Sequence, residues 1–123
     1  MLEHVDEELQ KTILELDDIN INLQDKYKNT ILMSCIKNTN NELLNKLLKK
    51  NPDLNIQNKN DETALMIACK IHSFDCIISL LNSSLNIDME LKNNKLKTVF
   101  NIADMYNNKT LLNLLIKYEN NKN

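Results

Sequence analysis

Residues 53–84 read DLNIQNKNDETALMIACKIHSFDCIISLLNSS, and residues 20–51 read NINLQDKYKNTILMSCIKNTNNELLNKLLKKN. Sliding one stretch onto the other by 33 positions pairs Asn22 with Asn55, Gln24 with Gln57, Lys26 with Lys59 and Thr30 with Thr63. It also pairs Leu32 with Leu65, Met33 with Met66, Lys37 with Lys70, Leu47 with Leu80 and Leu48 with Leu81. The pairs Ile21/Leu54, Leu23/Ile56 and Leu44/Ile77 differ only conservatively. A fixed period of this size marks stacked supersecondary units, each too small to bury its own apolar face. Function in such an array is expected on an extended surface rather than in a deep pocket.

Within each unit, apolar spacing predicts two short helices. The first unit has one over 31–38, with Ile31, Leu32, Cys35 and Ile36 inward, and one over 41–50, with Leu43, Leu44, Leu47 and Leu48 inward. Asn51 and Pro52 stop the second helix, because Asn tolerates left-handed backbone and Pro cannot continue a helix. The second unit repeats the pattern over 64–71 (Leu65, Ala68, Cys69) and 74–82 (Ile77, Leu80, Leu81). A third copy lies at an offset of 35, where Thr98, Phe100 and Ala103 match Thr63, Leu65 and Ala68. There Leu111, Leu112, Leu115 and Ile116 match Cys76, Ile77, Leu80 and Leu81. The offset is traced to a loop after the second helix that is two residues shorter and a connector, NIDMELKNNKLK at 86–97, that is four residues longer and is expected to form an extended finger. Upstream, Val5, Leu9, Ile13 and Leu16 predict a helical half-unit that caps the stack, ended by Asp17–Asp18. The organisation is one domain over 1–123: cap 1–18, units 19–51, 52–84 and 85–118, and a frayed tail 119–123.

Composition narrows the chemistry. Glycine and arginine are absent, and all 15 cations are lysine. Phosphate-cradling glycine loops and bidentate guanidinium forks are therefore excluded. No apolar run is long enough for a transmembrane helix. The opening MLEHVDEELQ is acidic and does not read as a secretory signal. Three cysteines inside apolar patterns suit a reducing, cytoplasmic setting better than a disulfide scaffold. Net charge is −2 overall, with residues 1–25 carrying −7 and residues 26–123 carrying +5. The asymmetry is that of solvated helix surface or of a partner-steering field.

The stretch TALMIAC at 63–69 resembles the T-P-L-H-x-A signature of ankyrin repeats. TILMSC at 30–35 is a second copy and TVFNIA at 98–103 a weaker third. PDLNIQN at 52–58 and NINLQD at 20–25 resemble the connecting segment of that family, and SLL at 79–81 the end of its second helix. The resemblance spans residues 17–118 and implies an all-α, ankyrin-like solenoid of helix-turn-helix units joined by finger loops. It departs from the family where Ile31, Ala64 and Val99 replace the signature proline. Met33, Met66 and Asn101 replace the signature histidine, and methionine there is expected only to pack. The positions of family glycines fall on Lys28 and Asp61 in the fingers, Thr39 and His72 between helices, and Asn51 and Ser84 after the second helix. Each is expected to hold positive φ under strain.

Few residues suggest catalysis. Cys69, His72, Asp75 and Cys76 have metal-like spacing, but Cys69 and Cys76 fall on core positions of two helices, where small apolar side chains belong. A Cys–His nucleophile also lacks evident oxyanion donors. His4 stands alone in an acidic helix, and Asp61–Glu62 lies at a turn, where helix-end roles explain it. The expectation is a non-enzymatic module without cofactor or metal, the alternative being a small metal- or thiol-dependent enzyme at Cys69, His72 and Cys76.

The favoured partner is another protein, not nucleic acid or membrane, because arginine and an interleaved aromatic platform are missing. By resemblance the concave face holds Tyr27, Asn29, Lys37, Asn38, Asn60, Glu62, Lys70, Ile71, Lys95, Lys97, Met105 and Tyr106. Tyr27, Ile71, Met105 and Tyr106 are apolar or aromatic where the repeat predicts exposure, as recognition anchors are. The role expected is an adaptor, inhibitor or sequestering protein, such as an effector or a toxin-neutralising protein. The last helix, apolar nearly all round, suggests a homodimer through residues 108–118.

Overall fold

The structure, a computed structural model, describes residues 20–122, so the expected capping helix over 3–16 lies outside the described residues. Among those described, six helices follow one another: α1 (Ile31–Lys37), α2 (Asn41–Leu48), α3 (Ala64–Lys70), α4 (Phe74–Leu81), α5 (Val99–Met105) and α6 (Lys109–Asn120). There is no strand among the described residues, only a bridge between Gln24 and Thr30. The fold is the all-α solenoid expected from the repeat.

The first helix of every pair starts on a threonine. Thr30, Thr63 and Thr98 are extended, and their hydroxyls accept from the backbone N–H of Met33, Met66 and Asn101 at 3.2, 3.2 and 3.3 Å. That satisfies a donor the helix leaves without a partner. In α3 and α5 the third helical residue answers: Met66 Sδ accepts from Thr63 N–H at 3.5 Å and Asn101 Oδ1 from Thr98 N–H at 2.9 Å. The expectation that methionine only packs there is thus corrected, because the thioether sulfur serves as a weak acceptor in a reciprocal cap.

Each first helix ends in the same way. Thr39, His72 and Asn107 have φ of 53°, 60° and 53°. Their N–H groups, and those of Asn40, Ser73 and Asn108 after them, turn back onto the last helical carbonyls, as in Asn40 N–H to Cys35 O at 2.9 Å. This is a Schellman ending built without glycine. It reverses the chain so that α2, α4 and α6 lie against α1, α3 and α5. The expected helices 31–38, 41–50, 64–71 and 74–82 overran by one or two residues, because the turn takes its first residue from the helix end.

The inner helices α1, α3 and α5 pack in a row, and α2 packs on α4. One continuous apolar core results, running from Ile21 through Ile36, Leu44, Ile67, Ile77 and Met89 to Leu115. Cys35, Cys69 and Cys76 lie within it as free thiols.

The fingers are triplicate. Asp25, Asn58 and Asn93 each accept two backbone N–H bonds through Oδ1, from Tyr27 and Asn29, from Asn60 and Glu62, and from Lys95 and Lys97. The side chain thereby closes the turn that the repeat needs. Adjacent fingers are tied by Lys59 N–H to Tyr27 O and Asn94 N–H to Asn60 O, and by Gln24 and Gln57 amides reaching Gln57 O and Lys92 O.

The third finger has the same hairpin as the others, which corrects the expected extension. Ser84, at φ 65°, keeps the period of 33 from Asn51, at φ 55°. The two extra residues fall between Ser84 and Asp88, at the base of the connector, where Ile87 and then Met89 turn into the core. Residues 119–122 also differ from the expected frayed tail. Helix α6 continues to Asn120, and the Lys122 ammonium donates to Ile87 O at that same base.

Candidate partner-binding face

The fingers and the inner helices, the concave side by family resemblance, carry the expected contact residues. Lys37, Lys70 and Met105 occupy equivalent positions at the ends of α1, α3 and α5, and Asn38, Ile71 and Tyr106 follow them as C-caps. Tyr27, Asn60 and Lys95 occupy the finger turns. Of the expected contact residues, Tyr27, Lys37, Asn38, Asn60, Lys70, Ile71, Lys95, Lys97, Met105 and Tyr106 are exposed.

Asn29 and Glu62 are the corrections. They are 5% and 7% exposed, so they support the face rather than present themselves on it. The Lys37 ammonium donates to Asn29 Oδ1 at 3.3 Å, and the Asn58 amide donates to both Asn29 Oδ1 and Glu62 Oε1, at 3.0 and 3.3 Å. Lys70 pairs with Glu62 Oε2 at 2.5 Å. A polar chain therefore runs beneath the surface of two units. Sequence placed Glu62 at a turn, and only the tertiary neighbours Asn58 and Lys70 explain its inward aim. Burial alone raises the proton affinity of the Glu62 carboxyl. The hydrogen bonds from Lys70 and Asn58 and the charges of Lys70 and Lys37 outweigh it, and the net position is below the usual carboxylate value.

Seven of the expected residues meet in one groove between the second and third units. It has a volume of about 330 Å³ and is lined by Asn60, Glu62, Lys70, Lys95, Lys97, Met105 and Tyr106, with Asn93, Asn94 and Ile102 completing it. The Tyr106 ring meets His72 edge-on at 4.7 Å and 83°, which fixes one wall. Tyr27 lies on the first finger, with the Lys26 ammonium 5.1 Å from its ring centre. Sequence reasoning overlooked Leu96. It is 76% exposed at the third finger's tip, with φ of 62°. The signal was available, since Leu96 falls at the position of Lys28 and Asp61, both read as sites of positive φ.

The cysteine–histidine alternative is not supported. Cys69 and Cys76 are fully buried, and burial pushes the Cys69 thiol up to about 12, far from thiolate at neutral pH. His72 is exposed on the turn and engaged with Tyr106. Among the described residues no group of three His, Cys, Asp or Glu side chains is placed to hold a metal ion. No described helix is long and apolar enough to cross a membrane.

Comparison with known families agrees with this geometry. A family model described as ankyrin repeats, in three copies, matches residues 32–123. The chain belongs to the ankyrin repeat family, whose members are in general non-enzymatic protein–protein interaction modules. Among curated proteins none matches the chain.

Proposed function

We propose that this protein is a non-enzymatic module that engages one protein partner through its concave face and blocks or sequesters it. The observation that carries this reading is the groove between the second and third units, where exposed Met105 and Tyr106 lie among lysines and asparagines. Apolar anchors inside a polar rim are the composition of recognition surfaces. Three buried core cysteines, none in a disulfide, support a cytoplasmic working environment.

The test is capture of partner proteins from the native host by the wild-type chain and by a variant carrying Tyr106→Ala and Ile71→Ala. The expected outcome is loss of binding with an unchanged far-ultraviolet circular dichroism spectrum. Binding that survives both changes but vanishes when residues 93–97 are deleted would move the site to the finger.

Self-association through 108–118 is the second reading. Its support is Ile116, exposed on α6 beside half-buried Leu112. Light scattering across a concentration series decides it, because a constant monomer mass removes it.

A further inference from the structure

Resting on that reading, we infer that the groove between the second and third units takes an acidic peptide segment of the partner carrying one large apolar side chain, with Leu96 as an additional contact at the rim.

The argument begins with a break in the repeat. In the first unit the helix-end ammonium of Lys37 finds Asn29, and in the second that of Lys70 finds Glu62. In the third unit the residue types change places. The finger position equivalent to Asn29 and Glu62 is Lys97, and the helix position equivalent to Lys37 and Lys70 is Met105. Among the described residues the ion pairs are Lys46–Glu42, Lys70–Glu62 and Lys122–Glu119. Lys95 and Lys97 are in none of them, although both line the groove. The one carboxylate in the groove, that of Glu62, is already matched by Lys70. Two lysines outside every ion pair among the described residues therefore line a groove that they share with Met105, Tyr106 and buried Ile102.

A ligand complementary to that arrangement brings carboxylates for the lysines and an apolar side chain for the floor. Exposed Asn60 and Asn94 add amides suited to a peptide backbone. Leu96, next in sequence to both lysines and outside the groove lining, is 76% exposed where the other fingers carry Lys28 and Asp61. A bulky apolar residue in left-handed backbone, aimed at water, is explained when the bound partner covers it.

The experiment selects a random peptide library on the immobilised full chain, then measures fluorescence anisotropy of the enriched peptides. Enrichment of Asp and Glu around one aromatic or long aliphatic position is expected, with affinity that falls as salt is raised. The double charge reversal Lys95→Glu with Lys97→Glu is expected to weaken binding by about tenfold or more. The reversal Lys46→Glu with Lys49→Glu, exposed in and just after α2, is expected to leave it unchanged. Unaltered thermal melts of both variants exclude misfolding. No enrichment, enrichment of neutral or basic peptides, enrichment that ignores Lys95→Glu/Lys97→Glu, or tighter binding of a single-stranded RNA oligonucleotide than of the selected peptides would each overturn the inference. The broader reading fails separately, if captured host partners are insensitive to every concave-face substitution.

Discussion

Among the described residues, eight hold positive φ in a chain that contains no glycine at all. Six of them, Lys28, Thr39, Asn51, Asp61, His72 and Ser84, stand where the family resemblance placed glycines, and Leu96 and Asn107 are their counterparts in the third unit. Left-handed backbone costs an ordinary residue roughly 1–2 kcal/mol, and a β-branched or bulky one is the most crowded. Thr39→Gly is therefore expected to raise stability by about 0.5–1 kcal/mol in a urea titration, after allowing for the freer unfolded chain. Asn51→Gly, starting from a residue that tolerates this backbone, should change little. Leu96→Gly should stabilise like Thr39→Gly and also weaken partner binding, which separates strain kept for recognition from strain left by composition. Glu62 gives a second expectation at this scale. Its folded pKa lies below its ordinary value of 4.5, so the folded chain binds its proton less readily than the unfolded one. The resulting stability is complete above that ordinary value and is lost as pH falls through the folded one. Glu62→Gln should lower stability at neutral pH by about 1–2 kcal/mol and flatten that part of the acid limb in pH-dependent melts.

The helices are short, seven or eight residues except for α6 at twelve, and none would persist alone. They hold because caps close their ends and the inner row buries their apolar sides. Their type and order were legible in the period of the apolar residues. Their ends were less so, because the Schellman turn reads as one more helical residue until its φ is known. The thiols report on the same packing. Cys35 and Cys69 are pushed up to about 12 by burial, with Cys76 adding to the effect at Cys35. A disulfide reagent at neutral pH should label both only as fast as the helices open, and added urea should accelerate the reaction sharply. Rapid labelling of Cys69 in the native protein would revive a thiol chemistry that the packing argues against.

Within the stack, the inner row changes character at α5. Met33 and Ile36 in α1, and Met66 and Cys69 at the equivalent positions of α3, are all buried. In α5 the equivalent residues are Asn101 and Asp104, both exposed. A terminal unit with a polar outer side limits further stacking. Asn101→Met with Asp104→Leu, which restores the internal pattern, is expected to raise the mass measured by sedimentation above that of the wild type at equal concentration. The α6 side of that end is less polar, with Leu112 half-buried and Ile116 exposed, and this is where any contact between copies would form.

What the sequence by itself determined is the repeat: the unit length and the helix pairs. These follow from local chemistry and from spacing along the chain, and both survive without knowledge of neighbours. It also named most of the residues that the groove assembles, because a repeat carries equivalent positions to equivalent places. The tertiary structure decided the rest. It turned Asn29 and Glu62 inward, placed the two inserted residues at the base of the connector rather than in the finger, and left Lys95, Lys97 and Leu96 facing solvent together. Those outcomes depend on which side chains meet in space, such as Asn29 with Asn58 of the next unit and Glu62 with Asn58 and Lys70, and polar contacts of that kind leave no trace in the apolar spacing.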